Sequence, residues 1–230
     1  MKILIKKITK LFFILVFVFF YSCEEQTVLE PKDIYSFIKE YTISRTNGDD
    51  YVLNYQTAKN VSANSLKIIE GVHTIKLSKQ NNLPATKYTE IFPFTNKDIQ
   101  IGFVTEQGMG SPIISIKDSN AGSKSSKNTE TELLTSYAII NTHESIYQLD
   151  FEVPAEVSVS FNFNDHLQVY EVHLSQGAST NNGAQTYSHT YTATTEGLYI
   201  DFVNHYTTNG SSRTTASDRI PRIIIGELTN

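Results

Sequence analysis

Tryptophan is missing from this 230-residue chain and cysteine occurs once. A single cysteine cannot close an internal disulfide, so even in an oxidising compartment the fold must be held by its core alone. Long tracts of Ala, Leu, Glu and Lys are also scarce, whereas Tyr, Phe, Val, Ile and Thr are abundant. Those residues suit a pleated surface, and the chain reads as all-β. Basic runs do not occur beyond residues 2–10 and the net charge is −5. Without a basic footprint, nucleic acid is excluded as the main partner. The chain has no Gly-x-Ser-x-Gly elbow, no His-Glu-x-x-His pair and no phosphate-cradling glycine loop. These absences argue for a non-catalytic protein, with no catalytic residue assigned and no cofactor expected.

What the N-terminus does contain is an order of features. Lys2, Lys6, Lys7 and Lys10 precede an apolar run from Leu11 to Tyr21, which is the arrangement of a signal peptide. Crossing a membrane takes about 20 apolar residues, so the run is too short for a durable span. Phe20-Tyr21-Ser22-Cys23 resembles a bacterial lipobox, with Phe20 where leucine is usual. That resemblance implies cleavage before Cys23 and lipid on its sulfur, and stable anchoring follows from more than one acyl chain. Glu24 and Glu25 resemble the acidic signal that sends Bacteroidota lipoproteins to the outer face of the outer membrane; retention on the periplasmic face is the alternative. Residues 1–22 are thus expected to be the signal peptide and 23–36 a polar tether.

The rest of the chain aligns with itself, the feature to seek first in an unfamiliar sequence. Tyr41-Thr42-Ile43 matches Tyr137-Ala138-Ile139 at a shift of 96 residues. The same shift aligns Tyr51 with Tyr147, Leu53 with Leu149, Tyr55 with Phe151 and Val61 with Val157. After small insertions, Ile75 aligns with Val172, Tyr88 with Tyr187, Phe103 with Phe202, and Pro112–Ile116 with Pro221–Ile225. Each copy holds about seven short runs alternating apolar and polar residues, the pattern of a sandwich. Residues 119–132, rich in Ser, Lys, Asn and Thr, cannot build a core and read as a flexible linker. The expected organisation is therefore two tandem β-sandwich domains, 37–118 and 133–230, free to change their mutual angle unless they share an apolar interface.

The motif order of each unit, seen in Phe161-Asn162-Phe163-Asn164-Asp165, the strand to Leu174, the aromatic hairpin Tyr187 to Tyr191 and Gly197-Leu198-Tyr199-Ile200-Asp201-Phe202, resembles immunoglobulin-like and cadherin-like modules of extracellular bacterial proteins. The resemblance implies tandem immunoglobulin-like sandwiches on a Bacteroidota-type surface lipoprotein. It brings no catalytic residue with it.

Candidate binding residues fall in the second unit. Tyr170, Tyr199 and Tyr206 lack Tyr or Phe counterparts in the first unit and are the candidates for an exposed aromatic surface that takes a protein or glycan ligand. His173 and His189 are the candidates for metal or haem capture, provided their strands are neighbours. Asn162, Asn164 and Asp165 could form an oxygen-rich Ca²⁺ loop, but Asn and Asp serve turns equally well. The leading expectation is a membrane-anchored binding or scaffold component of an outer-membrane complex; the alternative is a metal- or haem-capturing lipoprotein.

Overall fold

A computed structural model describes residues 36–46, 50–69, 71–93, 98–106, 108–109, 112–117, 133–177, 183–208, 211–214 and 221–226. The expected signal peptide, Cys23, nearly all of the expected tether and the expected linker lie outside the described residues. Within them the chain is all-β, in two sheets. The first half supplies β1 (Ile38–Thr46), β2 (Tyr51–Thr57), β3 (Val61–Ile69), β4 (Val72–Lys79), β5 (Lys87–Phe92), β6 (Ile99–Thr105), β7 (Gly108–Met109) and β8 (Ile113–Lys117). The second half supplies β9 (Ser136–His143), β10 (Ile146–Val153), β11 (Val157–Asn164), β12 (Val169–Gln176), β13 (Gln185–Thr192), β14 (Leu198–Thr208), β15 (Ser211–Thr214) and β16 (Arg222–Gly226).

Period-two alternation decides which face of each strand is buried. In β10, Tyr147, Leu149, Phe151 and Val153 are buried while the residues between them are not. In β2, Tyr51, Leu53, Tyr55 and Thr57 occupy the same row. The aligned residues also share ladder positions: Tyr55 pairs with Tyr88 as Phe151 pairs with Tyr187, and Ile75 with Phe103 as Val172 with Phe202. Side-chain geometry repeats as well. Tyr55 stacks on Tyr88 with centroids 5.1 Å apart, and Phe151 on Tyr187 at 5.3 Å; Phe103 and Phe202 stand edge-on to Tyr55 and Phe151 at 5.5 and 5.4 Å.

The halves meet differently from the expectation of two separately closed domains. The six-stranded sheet runs β13-β10-β9-β1-β2-β5 and the ten-stranded sheet runs β11-β12-β14-β16-β8-β6-β4-β3, with β15 and β7 attached to β14 and β6. Both sheets therefore pass from one half into the other. One core cluster holds Ile43, Leu53, Ile101 and Ile114 together with Ile139, Leu149, Ile200 and Ile223. The physical reason is that β1 and β8 would otherwise be open edges, with a row of unpaired backbone donors and acceptors each. Hydrogen bonding to β9 and β16 satisfies both.

This joint has a local two-fold axis. Ile43 pairs with Ile139, its own counterpart in the alignment, while Tyr41 pairs with Asn141 and Arg45 with Tyr137. In the other sheet Ser115 pairs with its counterpart Ile224, Ile113 with Gly226 and Lys117 with Arg222. Each half thus presents the same surface to the other, as subunits do in an isologous dimer. The Tyr41 hydroxyl donates to the Tyr147 hydroxyl across the joint at 3.3 Å.

Each half contributes three strands to one sheet and five to the other, and each contains one parallel pair, β4 with β6 and β12 with β14. Immunoglobulin sheets are antiparallel, so the parallel pair is a departure from that pattern. Gly197 closes the turn before β14 with a positive φ, and a Cβ there would stand 2.6 Å from the Ile225 carbonyl oxygen. Only glycine fits.

A shared core predicts one unfolding transition. Ile43→Ala and Ile139→Ala should each cost about 2–5 kcal/mol and move a single cooperative melt seen by both calorimetry and circular dichroism. Two transitions, with each substitution moving only one, would show that the halves are independent.

Candidate functional site

Because the halves share a backbone plan, chemistry peculiar to one half is found by comparing equivalent positions. Among the described residues two such regions occur, both in the second half. The first is the outer end, where β11 and β13 are the last strands of the two sheets.

Phe161 and Phe163 lie on the row of β11 that begins with buried Val157, so alternation aims them at the opposite sheet. Yet they are 41% and 39% exposed. A core row has run past the end of the sheet that should cover it. On β13, Tyr187, His189 and Tyr191 form the inward row, and Thr186, Ser188, Thr190 and Thr192 are exposed on the other face. His189 stacks on Phe161 at 4.7 Å and lies 4.6 Å from the Tyr191 ring. Tyr170 of β12 lies 4.8 Å from both Phe163 and Tyr191. The result is an aromatic recess between two sheet edges. Burial, with Tyr170 adding to it, pushes the Tyr191 hydroxyl well above the ordinary phenol range, so it stays a neutral hydroxyl.

Among the described residues the first half repeats one of these contacts, with His73 edge-on to Phe92 at 4.9 Å. His189 aligns with Glu90 and Tyr170 with His73, and the stretch aligned with Phe161 is interrupted by a bulge between Asn64 and Lys67.

The second region is the outer face of the ten-stranded sheet. Asp201 is fully buried and holds Arg222 bidentately, Nε to Oδ1 at 2.6 Å and Nη2 to Oδ2 at 2.7 Å. Those bonds raise the guanidinium's already high pKa further. Equivalent positions of the first half hold Gly102 and Ile113, and a Cβ added to Gly102 would meet Ile113 Cγ1 at 3.5 Å. Nearby, buried Glu171 accepts from Asn164 Nδ2 at 2.9 Å and faces His173 Nε2 at 3.1 Å. His173 Nδ1 lies 2.8 Å from His205 Nε2. Both ring nitrogens of His173 are thus engaged, Nε2 with Glu171 and Nδ1 with His205. Zinc held at about 2.0–2.1 Å by both rings would need His173 Nδ1 and His205 Nε2 farther apart. They form a hydrogen-bonded chain, and no cluster of three metal-ligating residues occurs among the described residues.

His173 and His189 are not brought together. They stand on strands of different sheets, His173 within the Glu171 chain and His189 in the aromatic recess. Tyr170 lines the recess, whereas Tyr199, one residue off the inward row of Leu198 and Ile200, faces the other side of the same sheet. The Tyr206 side chain lies outside the described residues. The Asn164 side-chain oxygen accepts from the Leu167 backbone N–H at 3.1 Å, which is turn chemistry.

Sequence reasoning missed Phe161, Phe163, Glu171, Asp201, His205 and Arg222 as distinctive residues. The available signal was the difference between aligned positions of the repeat. Comparison with known proteins adds no relative: no family model, curated protein or solved structure matches the chain.

Burial lowers the pKa of His205, with His173 adding to the shift and Glu171 opposing it. Burial also lowers that of His73. Both stay neutral in the folded chain at a pH where the unfolded chain already binds protons, so acid favours unfolding. Their contribution is intact above the ordinary histidine value of 6.5 and is lost as pH falls through it toward the lowered folded values. The melting temperature should fall between about pH 7.5 and about pH 5.5, and His205→Gln should reduce that fall. A melting temperature that rises on acidification would contradict the assignment.

Proposed function

We propose that the chain is a non-catalytic lipoprotein, anchored through Cys23 on the exterior face of an outer membrane, whose outer second-half end recognises a polypeptide or glycan. Phe161 and Phe163 carry this reading: two core-facing aromatic side chains left open to solvent beside Tyr170 and His189. Exposed apolar surface of this kind is retained where a partner covers it. A polypeptide is favoured over a glycan, since β11 and β13 also offer strand edges to which an extended chain can hydrogen-bond. The metal- or haem-capturing alternative has no such support, because its two histidines sit in separate environments.

The anchor and the surface are tested together on intact cells. A photo-crosslinking residue placed at exposed Ser160 should give polypeptide adducts, and a Phe161→Ser/Phe163→Ser variant should lose them. Cys23→Ser should release the chain from the membrane fraction. Protection of the wild-type chain from protease added outside the cells would place it on the periplasmic face. Adducts indifferent to the two phenylalanines would remove the outer end as the recognition surface.

A further inference from the structure

We propose that the partner at this outer end is a second copy of the chain, joined edge to edge about a two-fold axis with β13 antiparallel to its own counterpart. The proposal deepens the reading of that end as a polypeptide contact surface and rests on it.

The four outer edges of the two sheets are not alike. In the first half, β5 carries Lys87 and directs Glu90 inward, and β3 is broken by a bulge between Asn64 and Lys67. Lysine, an inward-pointing charge and a bulge are the devices by which proteins keep edge strands from pairing. In the second half, β13 reads Gln-Thr-Tyr-Ser-His-Thr-Tyr-Thr and β11 reads Val-Ser-Val-Ser-Phe-Asn-Phe-Asn. Neither contains Asp, Glu, Lys, Arg or Pro. Each runs eight residues along its inner neighbour without a register shift. Among the described residues, β13 pairs only with β10 and β11 only with β12. Among the described residues, the first-half edges carry these devices and the second-half edges do not.

The open edge is complementary to itself. With His189 on the axis, antiparallel pairing sets Tyr187 opposite Tyr191, Ser188 opposite Thr190 and Thr186 opposite Thr192. Aromatic pairs fill the inward row and hydroxyl pairs the outward row, both favourable across strands, and no residue carrying a fixed charge meets its like. The molecule already contains the same type of joint, since Ile43 pairs with Ile139 and Ser115 with Ile224 about one axis.

Sheet size decides which layer carries the new ladder. Joining two copies through the six-stranded sheets sets twelve strands side by side, whereas joining them through the eight-strand path of the larger sheet would set sixteen, and open twisted sheets become rarer as they grow past roughly ten strands. The ladder therefore belongs to the six-stranded sheet. The two β11 strands meet through Phe161 and Phe163, covering the exposed row. An isologous contact closes at two copies, and the guarded first-half edges prevent growth into a fibre.

The register supplies a charge test at exposed positions. Sedimentation velocity of the full chain in detergent, over the micromolar range, should show a dimer. Ser188→Lys/Thr190→Lys sets lysine against lysine twice and should weaken association roughly tenfold or more. Ser188→Lys/Thr190→Glu sets lysine against glutamate twice at the same sites and should remain dimeric. A monomeric wild type, or two double variants that behave alike, would overturn the proposal. On cells, self-pairing gives Ser160 adducts at twice the chain mass. Adducts of other masses that need Phe161 and Phe163, together with a monomeric chain, would refute self-pairing and leave the surface reading standing.

Discussion

Two backbone ladders hold this structure together, β1 with β9 and β8 with β16. Among the described residues every other strand pairs within its own half. Without the two ladders each half would expose two strand edges and the flank of its core. A single backbone hydrogen bond contributes only about 0.5–1.5 kcal/mol net, but an unsatisfied buried group costs more than that. The joint therefore matters less for the energy of its bonds than for the unpaired groups and exposed isoleucines it removes. Its two-fold arrangement lets one surface serve both sides.

Once the joint is made, the two outer ends of the sandwich have no common task, and they have diverged. At one end the edges carry a bulge and charge; at the other the core row of β11 runs into solvent beside an uncharged edge. The outer face of the large sheet diverges too, with Asp201 and Arg222 where the first half has Gly102 and Ile113. A pair of this kind adds little net stability, since desolvation offsets much of its attraction. Its bidentate geometry instead fixes the register of β14 against β16, the strand that makes one of the two joints.

Much of the fold was legible. Alternation in Tyr147 to Val153 identified a half-buried strand, and the alignment of Tyr55 with Phe151 and Tyr88 with Tyr187 matched ladder positions. The closure of the halves on each other was not legible, because a strand that pairs within its unit and one that pairs across the joint carry the same alternation. Ile43 looks like any inward-facing residue in sequence. The candidate site was legible only in part. Tyr170 was found because its counterpart, His73, is not a ring of the same kind, but Phe161 and Phe163 alternate as core residues do, and only three dimensions reveal that the covering sheet stops short. Glu171 and His205 reach His173 from a neighbouring position and a parallel strand, a proximity no spacing encodes.

Native-state amide hydrogen exchange measures the joint directly. The ladder amides of β1, β9, β8 and β16 should exchange as slowly as those at the centre of each half, such as Leu53 and Leu149, with all of them opening only by global unfolding. Fast exchange along the four joint strands, with protection kept inside each half, would contradict the account.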